Sequence, residues 1–268
     1  MNPLQWLVPW EASYAIAIVT AVTAMLFIRG GLRCKLSFRQ KLYFWIGLLS
    51  LYAASHTQID YYAEHEFFVH QLQSMVLHHL GPFFIVLAYP KDALTEGFPR
   101  AGKRLIRQVS GWKPVQCSVK VVFHPVAAVV LFVGLLVFWL LPSVHFIAML
   151  DWRIYRLMNW SMVLNGLMFW GIALNSYSIR SPGSRIAMML TVVPPQILVG
   201  ALIFFTPREL YPIYSLCGRA FTSMSSVTDQ QIGGLILWTQ GAMMSVIGIL
   251  IVIHKELRRP QLVKNAAG

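Results

Sequence analysis

Seven long apolar stretches constrain this 268-residue chain more than any other feature of its sequence. A helix that crosses a bilayer needs roughly 20 mainly apolar residues, and each stretch is close to that length. The stretches cover residues 12–29, 41–57, 67–89, 121–141, 154–177, 186–206 and 231–254. We therefore expect an all-α integral membrane protein in which residues 1–268 form a single domain, a seven-transmembrane-helix bundle.

Composition excludes the main soluble classes of protein. Hydrophobic residues make up 57% of the chain and charged residues 12%, whereas a typical soluble domain has about 45–50% and about 25%. The three cysteines, Cys34, Cys117 and Cys217, are far apart in the sequence and form no C-x-x-C pair. A soluble enzyme and a disulfide scaffold are therefore both excluded.

The positive charge of the chain indicates its topology. A net charge of +12 at pH 7 would suggest a nucleic-acid partner in a soluble protein, but basic residues in a membrane protein collect on the cytoplasmic side. All the Lys and Arg residues except four flank the stretches on one side. The exceptions are Arg153, Arg156, Arg208 and Arg219. We expect the N-terminus outside, the C-terminus in the cytoplasm and no nucleic-acid partner.

Three further segments have sequence patterns that predict local structure. Residues 98–112 (FPRAGKRLIRQVSGW) predict an amphipathic helix on the anionic inner surface of the lipid bilayer, with a solvated loop as the alternative. Pro194 and Pro195 predict a kink in the sixth stretch. Gly234, Gly241 and Gly248 form a small-residue stripe that permits close helix packing. The stripe is also a candidate contact for a partner subunit or, in a homodimer, a second copy.

Most of the histidines lie in residues 56–79, at or below the outer end of the third stretch. They are His56, His65, His70, His78 and His79. Asp60, Glu64 and Glu66 add carboxylates around the same outer mouth. Ionisable residues within a membrane are costly and usually face a bundle interior or a cavity. We therefore treat these histidines as candidate metal ligands, with hydrogen bonding between helices as the open alternative.

Spacing limits which of these residues can share an ion. His70 and His78 are about 12 Å apart along an ideal helix, so they would need a partner helix to bind one ion together. His79 lies at the i, i+4 spacing from Met75. An imidazole with a thioether suits copper, particularly Cu(I), whereas three or more histidines or carboxylates would also suit zinc. Several other methionines could mark a copper path, but methionine also fills irregular apolar gaps.

Asp229 is the last candidate ligand. Thr228 and Gln231 give the T-x-x-Q form of a capping box, in which Asp229 lies at the positive end of the seventh helix. A cap would explain this residue, and a role as a ligand or proton carrier stays open because it faces the same side as the histidines. The candidate metal ligands are His56, Asp60, His65, His70, Met75, His78, His79 and Asp229. We expect no catalytic residue.

These residues resemble the motifs of a known family. Thr57-Gln58-Ile59-Asp60, His70, Pro82 and Pro90 are spaced as in the S-P-L-D, H-M-x-Q-H and A-P-P-L-L-L-L-G-x-P blocks of the multi-span CtaG family of cytochrome c oxidase assembly factors. His124-Pro125, the run 210–214 (LYPIY) and the run 229–238 (DQQIGGLILW) are similar to its remaining blocks. The resemblance covers about residues 45–255. It implies seven spans in a bacterial cytoplasmic (inner) membrane.

The resemblance also implies a function. It implies an assembly factor rather than an enzyme, with copper delivered to the catalytic subunit of cytochrome c oxidase and received from a periplasmic copper donor. The family residues that carry over are Asp60, His70, His124 and Asp229. The chain departs from the family at Ser74, Leu140 and Asn159, where histidine is usual or frequent. The chain thus resembles a divergent branch of the family, in which His78 and His79 could replace the missing ligands.

Two other functions remain open at this point. A copper transporter could use the histidines as its uptake site and the methionines as a path through the membrane. A membrane b-type haem protein is the other alternative, because His56 and His70, like His65 and His79, are 14 positions apart and bis-histidine haems need such pairs on facing helices.

Overall fold

A computed structural model describes residues 9–174 and 181–266, with side chains as far as residue 258. In these ranges the regular elements are all helical. The first ten are α1 (Tyr14–Gly31), α2 (Phe38–His56), α3 (Gln58–His65), α4 (Phe67–Met75), α5 (Gly81–Leu87), α6 (Lys91–Gly97), α7 (Arg100–Ser110), α8 (Lys113–Val122), α9 (Pro125–Leu140) and α10 (Pro142–Leu150). They are followed by α11 (Trp152–Leu174), α12 (Pro182–Thr191), α13 (Val193–Phe205), α14 (Ile213–Cys217) and α15 (Ser226–Ala266), and a π-helical turn, Val76–Leu80, joins α4 to α5.

Several of these helices can cross a membrane. Among the described residues, four are long and apolar enough: α1, α11, the α12–α13 segment Pro182–Phe205, and Ser226–Arg258 of α15. Two further pairs of helices are long and apolar enough when each pair is taken together, although each pair is bent. The bend is 81° between Phe67–Leu87 and α6 and 71° between α8 and α9, and counting each pair as one span gives up to six spans. The all-helical, multi-pass membrane fold expected from the sequence is therefore confirmed.

The count of seven spans stays a prediction because of α2. This helix coincides with the second apolar stretch but is not among those apolar enough to cross a membrane. Its basic start at Arg39 and Lys41 and its polar residues toward the C-terminal end lower its hydropathy. The last residues of the fifth predicted stretch, 175–177, lie outside the described residues, as does Arg180.

Prolines explain where two of the predicted spans begin or break. The fourth stretch was expected from residue 121, but α9 begins at Pro125, after the 71° bend. Proline suits the first turn of a helix, where its missing N–H needs no partner. In the sixth stretch the helix is interrupted at Val192, just before Pro194 and Pro195. The helix is thus interrupted where the kink was expected, and the kink itself stays a prediction.

The amphipathic helix is confirmed as α7, and the alternative of a loop is wrong. None of its residues is buried. Leu105 is 60% exposed, and Trp112 beyond its end is 68% exposed. Basic residues accompany this apolar face, as expected for a helix at a membrane surface.

The glycine stripe of α15 is used inside the bundle. A Cβ atom at Gly234 would lie 2.8 Å from both the Gly200 oxygen and the Phe204 nitrogen of α13. At Gly241 it would lie 1.8 Å from Gln196 Oε1, and at Gly248 2.7 Å from Met189 Sδ. The stripe is therefore occupied by α12 and α13 of the same chain. The expectation that it offers a contact to a partner subunit or a second copy is wrong, because the chain itself fills it.

We expect Gly234→Leu to destabilise the folded chain by about 1–3 kcal/mol, because the added side chain meets backbone that cannot turn aside. The unfolding temperature in mild detergent measures the effect. Gly134→Leu on α9 is the matched control, since a Cβ there meets nothing within 4 Å. Equal unfolding temperatures for the two variants would contradict this prediction.

Candidate metal site

The π-helical turn sets the geometry of the polar interior. The Gly81 N–H donates to the Val76 carbonyl five residues earlier, and such bulges are frequent at functional sites. Helix α11 approaches this turn closely. A Cβ atom added at Gly166 of α11 would lie only 2.3 Å from the His78 carbonyl oxygen. The turn thereby places His78 and His79 side by side inside the bundle, 0% and 1% exposed.

An ion cluster of Glu66, Arg219 and Asp229 closes the N-terminal end of α4. Arg219 Nη2 lies 2.6 Å from Glu66 Oε2 and 3.5 Å from Asp229 Oδ2. Both carboxylates are buried, with Glu66 0% and Asp229 1% exposed. One guanidinium thus compensates two buried negative charges.

Asp229 also caps a helix, but not its own. Its Oδ2 accepts the Phe67 N–H at 2.9 Å and its Oδ1 accepts the Phe68 N–H at 2.8 Å, at the start of α4. The expectation of a T-x-x-Q capping box on the seventh helix is wrong, because α15 begins earlier, at Ser226. Ser225 Oγ accepts the Thr228 N–H there at 3.1 Å. Asp229 therefore ties α15 to the helix that carries His70.

Asp60 belongs to a second polar group. Its Oδ1 accepts hydrogen bonds from Gln73 Nε2 at 2.6 Å and from the Tyr155 hydroxyl at 2.8 Å. Burial raises the pKa of Asp60 to about 6, although these two hydrogen bonds oppose the rise. Burial, followed by the negative charges of Asp60 and Glu11, raises the pKa of Glu64 to about 7. Both carboxyls therefore hold their protons to a higher pH than exposed carboxyls do.

His70 lies against a small cavity, which we call the His70 chamber. Its volume is about 20 Å³, enough for one water-sized occupant. It is lined by His70, Gln71, Ser74, Leu136, Trp139, Leu140, Met158 and Met162. His70 is 2% exposed, and its Nδ1 has no hydrogen-bond partner among the described residues. Met158 and Met162 are one turn apart on α11, so both reach the same cavity.

His145 stands behind His70, with 5.0 Å between the ring centroids. Its Nδ1 lies 3.1 Å from the Trp139 carbonyl and its Nε2 lies 2.9 Å from the Tyr214 hydroxyl. Because a carbonyl only accepts, the proton is on Nδ1 and Nε2 accepts from Tyr214. Both nitrogens of His145 are therefore occupied, whereas His70 keeps a free nitrogen.

His78 and His79 form a second histidine pair deeper in the bundle. Their ring centroids are 5.1 Å apart, and His78 stacks on Phe132 at 3.9 Å. Within the described part of the chain, none of the four ring nitrogens makes a hydrogen bond of full geometry, although the Asn165 side chain is a polar neighbour of His78. An unpaired buried polar group costs about 1–3 kcal/mol, so a pair like this needs an explanation.

The remaining candidates are held separately. His56 Nε2 accepts the Ser13 N–H at 3.0 Å, and His65 Nδ1 donates to the Tyr61 carbonyl at 2.7 Å. Met75 is half-buried at the end of α4; its pairing with His79 stays a prediction. Across residues 9–174 and 181–258, no three His, Cys, Asp or Glu side chains are placed to hold a metal ion.

Sequence reasoning missed the partners that come from distant parts of the chain. His145 was not considered as a neighbour of His70, and Arg219 was counted only for topology. The methionine spacing was one available signal, since Met158 and Met162 are four positions apart. The positions of departure from the CtaG motifs were another, because Ser74 and Leu140 both line the His70 chamber.

The fold and site together define a multi-pass membrane protein with buried histidines in its helical interior. The family model for cytochrome c oxidase caa3 assembly factors (Caa3_CtaG) matches residues 10–259, and the chain belongs to this family. The resemblance drawn from the motifs is confirmed, and membership implies association with cytochrome c oxidase. Comparison with curated proteins gave no match, and comparison with solved structures gave none either.

Proposed function

We propose that this assembly factor holds Cu(I) in the His70 chamber and delivers it to the catalytic subunit of cytochrome c oxidase. The observation that carries the proposal is the set of donors around the chamber. An imidazole nitrogen without a partner and two thioether sulfurs, from Met158 and Met162, surround a cavity of about 20 Å³. Soft thioether ligands select Cu(I), and imidazole also binds copper.

The departures from the family motifs support this assignment. Ser74 and Leu140 stand where other CtaG proteins usually carry histidine, and both face the same chamber as His70. Two of the three departures thus lie at this chamber, and the third, Asn159, lines a different cavity. In this chain the donors that remain are richer in sulfur, which favours Cu(I) over zinc.

His78 and His79 form a second copper-binding site in this proposal. Cu(I) accepts few ligands, so two neighbouring imidazoles can hold it. No ring nitrogen of this pair makes a hydrogen bond of full geometry in the described structure, although Asn165 is a polar neighbour of His78. Ser74 lines the chamber, and the π-helical turn that carries His78 and His79 begins two residues after it. His56, Asp60, His65 and Met75 would serve the outer approach, and Asp229 would hold α4 in place.

Topology completes the proposal. We place seven spans in a bacterial inner membrane, namely the six candidate spans together with α2. The N-terminus lies outside and the C-terminus in the cytoplasm, so that the chamber opens toward a periplasmic copper donor. The basic asymmetry of the loops supports this orientation. A reporter that is active only in the periplasm should be inactive when fused at residue 268. Activity there would contradict the orientation.

Copper binding tests the function directly. After anaerobic Cu(I) loading in detergent, we expect His70→Ala and the Met158→Leu/Met162→Leu double variant to bind copper about 10–100-fold more weakly than wild type. X-ray absorption should show sulfur together with nitrogen around the copper, and the sulfur signal should vanish in the double variant. Affinity is measured by competition with a Cu(I) chelator.

Two control variants distinguish copper at the His70 chamber from copper at the His78/His79 pair and from binding elsewhere in the chain. His254→Ala, on an exposed side chain near the C-terminal end of α15, should bind as wild type does. His78→Ala/His79→Ala should keep the sulfur signal and lose only additional copper. No bound copper in the wild type, or equal copper affinity in all variants, would contradict the copper proposal and leave these histidines with a structural role.

A further inference from the structure

A larger cavity lies between α1, α2 and α11, apart from the His70 chamber. Its volume is about 270 Å³, close to the lower end of small-molecule pockets, about 300–1,000 Å³. Most of its wall is apolar: Val19 and Thr20 come from α1, Leu48 and Leu51 from α2, and Val163 from α11. The main packing partner of α1 is α6, so the side of α1 facing α11 is left open.

One end of this cavity is polar. It is formed by Glu11, Ser13, Asp60, Glu64, Tyr155, Arg156 and Asn159. Ser13 is 4% exposed, and its Oγ finds no hydrogen-bond partner in the described residues. The polar groups thus gather at one end of an apolar channel, which is the pattern of an amphiphile site.

The charges at the polar end are unbalanced. Three carboxyls, Glu11, Asp60 and Glu64, face one guanidinium, Arg156, which lies 3.3 Å from Glu11. No group of three such side chains in the described chain is placed to hold a metal ion. An organic cation beside these carboxyls would favour their charged forms, and it needs no converging ligands.

The apolar part has the length of a lipid chain. The wall formed by α11 runs from Trp152 to Leu167, about 22 Å along a helix. That is longer than one leaflet of a hydrocarbon core of about 30 Å. A hydrocarbon chain can therefore lie along α1 and α11 with its head group at the polar end.

We infer that this cavity binds a zwitterionic aminophospholipid through one acyl chain. Its ammonium group would contact the carboxyls of Asp60 and Glu64, and its phosphate would contact Arg156, because guanidinium groups match phosphate oxygens. The Ser13 hydroxyl supplies a further donor to the head group. An acidic lipid without an amine lacks the cation that this end requires. The site lies apart from the His70 chamber, and Asp60 is the residue that it shares with the proposed copper approach.

Native mass spectrometry of the full chain tests this site. The protein is reconstituted in nanodiscs of equal phosphatidylethanolamine and phosphatidylglycerol and then released into detergent. We expect the retained lipid to be phosphatidylethanolamine, with a preference of about fivefold or more. Replacing the ethanolamine lipid with its choline counterpart should weaken retention, because a quaternary amine cannot donate hydrogen bonds to the carboxyls.

Two variants locate the lipid. Thr20→Trp fills the cavity from α1 and should lower retention about fivefold, whereas Ile18→Trp, on the same helix but 60% exposed and outside the lining, should not. Asp60→Asn/Glu64→Gln should remove the preference for the amine while keeping a bound chain. Equal retention in Thr20→Trp and Ile18→Trp, or a preference for phosphatidylglycerol, would overturn the inference. Copper affinity should be unchanged in Thr20→Trp.

Discussion

Arg219→Met is expected to destabilise the folded chain by about 3–5 kcal/mol, the usual cost of removing one partner of a buried ion pair. Glu66 and Asp229 are 0% and 1% exposed, and Arg219 is the cation that contacts both. Without it two buried carboxylates face each other. The free energy of unfolding, or the unfolding temperature in mild detergent, measures the loss.

A second substitution distinguishes charge from lost packing. Arg219→Met/Glu66→Gln should recover part of the stability, because one uncompensated charge is removed while the methionine stays. Arg208→Met is the matched control, since Arg208 is exposed and exposed charges contribute little. If Arg219→Met and Arg208→Met unfold at the same temperature, the ion cluster does not stabilise the bundle.

Local features of the fold were predictable because they depend on neighbouring residues. Apolar length placed the helices, the proline pair marked the interruption at Val192, and the alternation of basic and apolar residues predicted α7. The motif spacing also identified the family. The sequence assigned Asp60, Glu64 and Glu66 to one outer mouth, whereas the structure places Glu66 with Arg219 and Asp60 with Gln73 and Tyr155.

The details of the site could not be predicted because they are tertiary contacts. Asp229 caps a helix that begins 162 positions away from it, and local capping patterns describe only a residue's own helix. The π-helical turn also changes how His78 and His79 are presented, whereas ideal α-helical spacing was assumed. His145 reaches His70 only because α10 turns back into the bundle, which no periodicity in residues 142–150 indicates.

The contacts around α4 connect stability with the proposed function. Asp229 holds the first turn of α4 and Gln73 binds Asp60 near its end, so His70 lies on a helix fixed at both ends. Phe67 packs on Tyr211 at 4.2 Å, and Tyr214 holds His145 behind His70. The chamber is therefore supported by side chains that are themselves held in place, as a binding site with a defined geometry requires.

Deleting the gene in the native host is expected to leave oxidase subunits synthesised and inserted but with activity below about a tenth of normal under copper limitation, a loss of the size seen when metal sites are damaged. The reason is that a chamber buried in the membrane can pass Cu(I) sideways to a neighbouring span. The copper-to-haem ratio of the purified oxidase should fall with activity. Wild type and His254→Ala should restore both, whereas His70→Ala should not.

Total cell copper distinguishes this role from copper uptake. An assembly factor should leave cell copper unchanged while the oxidase lacks it, whereas a transporter should lower both together, and vesicles containing the purified protein should then accumulate copper. Haem absorbance of the purified protein would instead indicate the b-type haem alternative. Normal oxidase activity and a normal copper-to-haem ratio in the deletion strain would mean that copper reaches the oxidase without this protein, and the delivery proposal would fail.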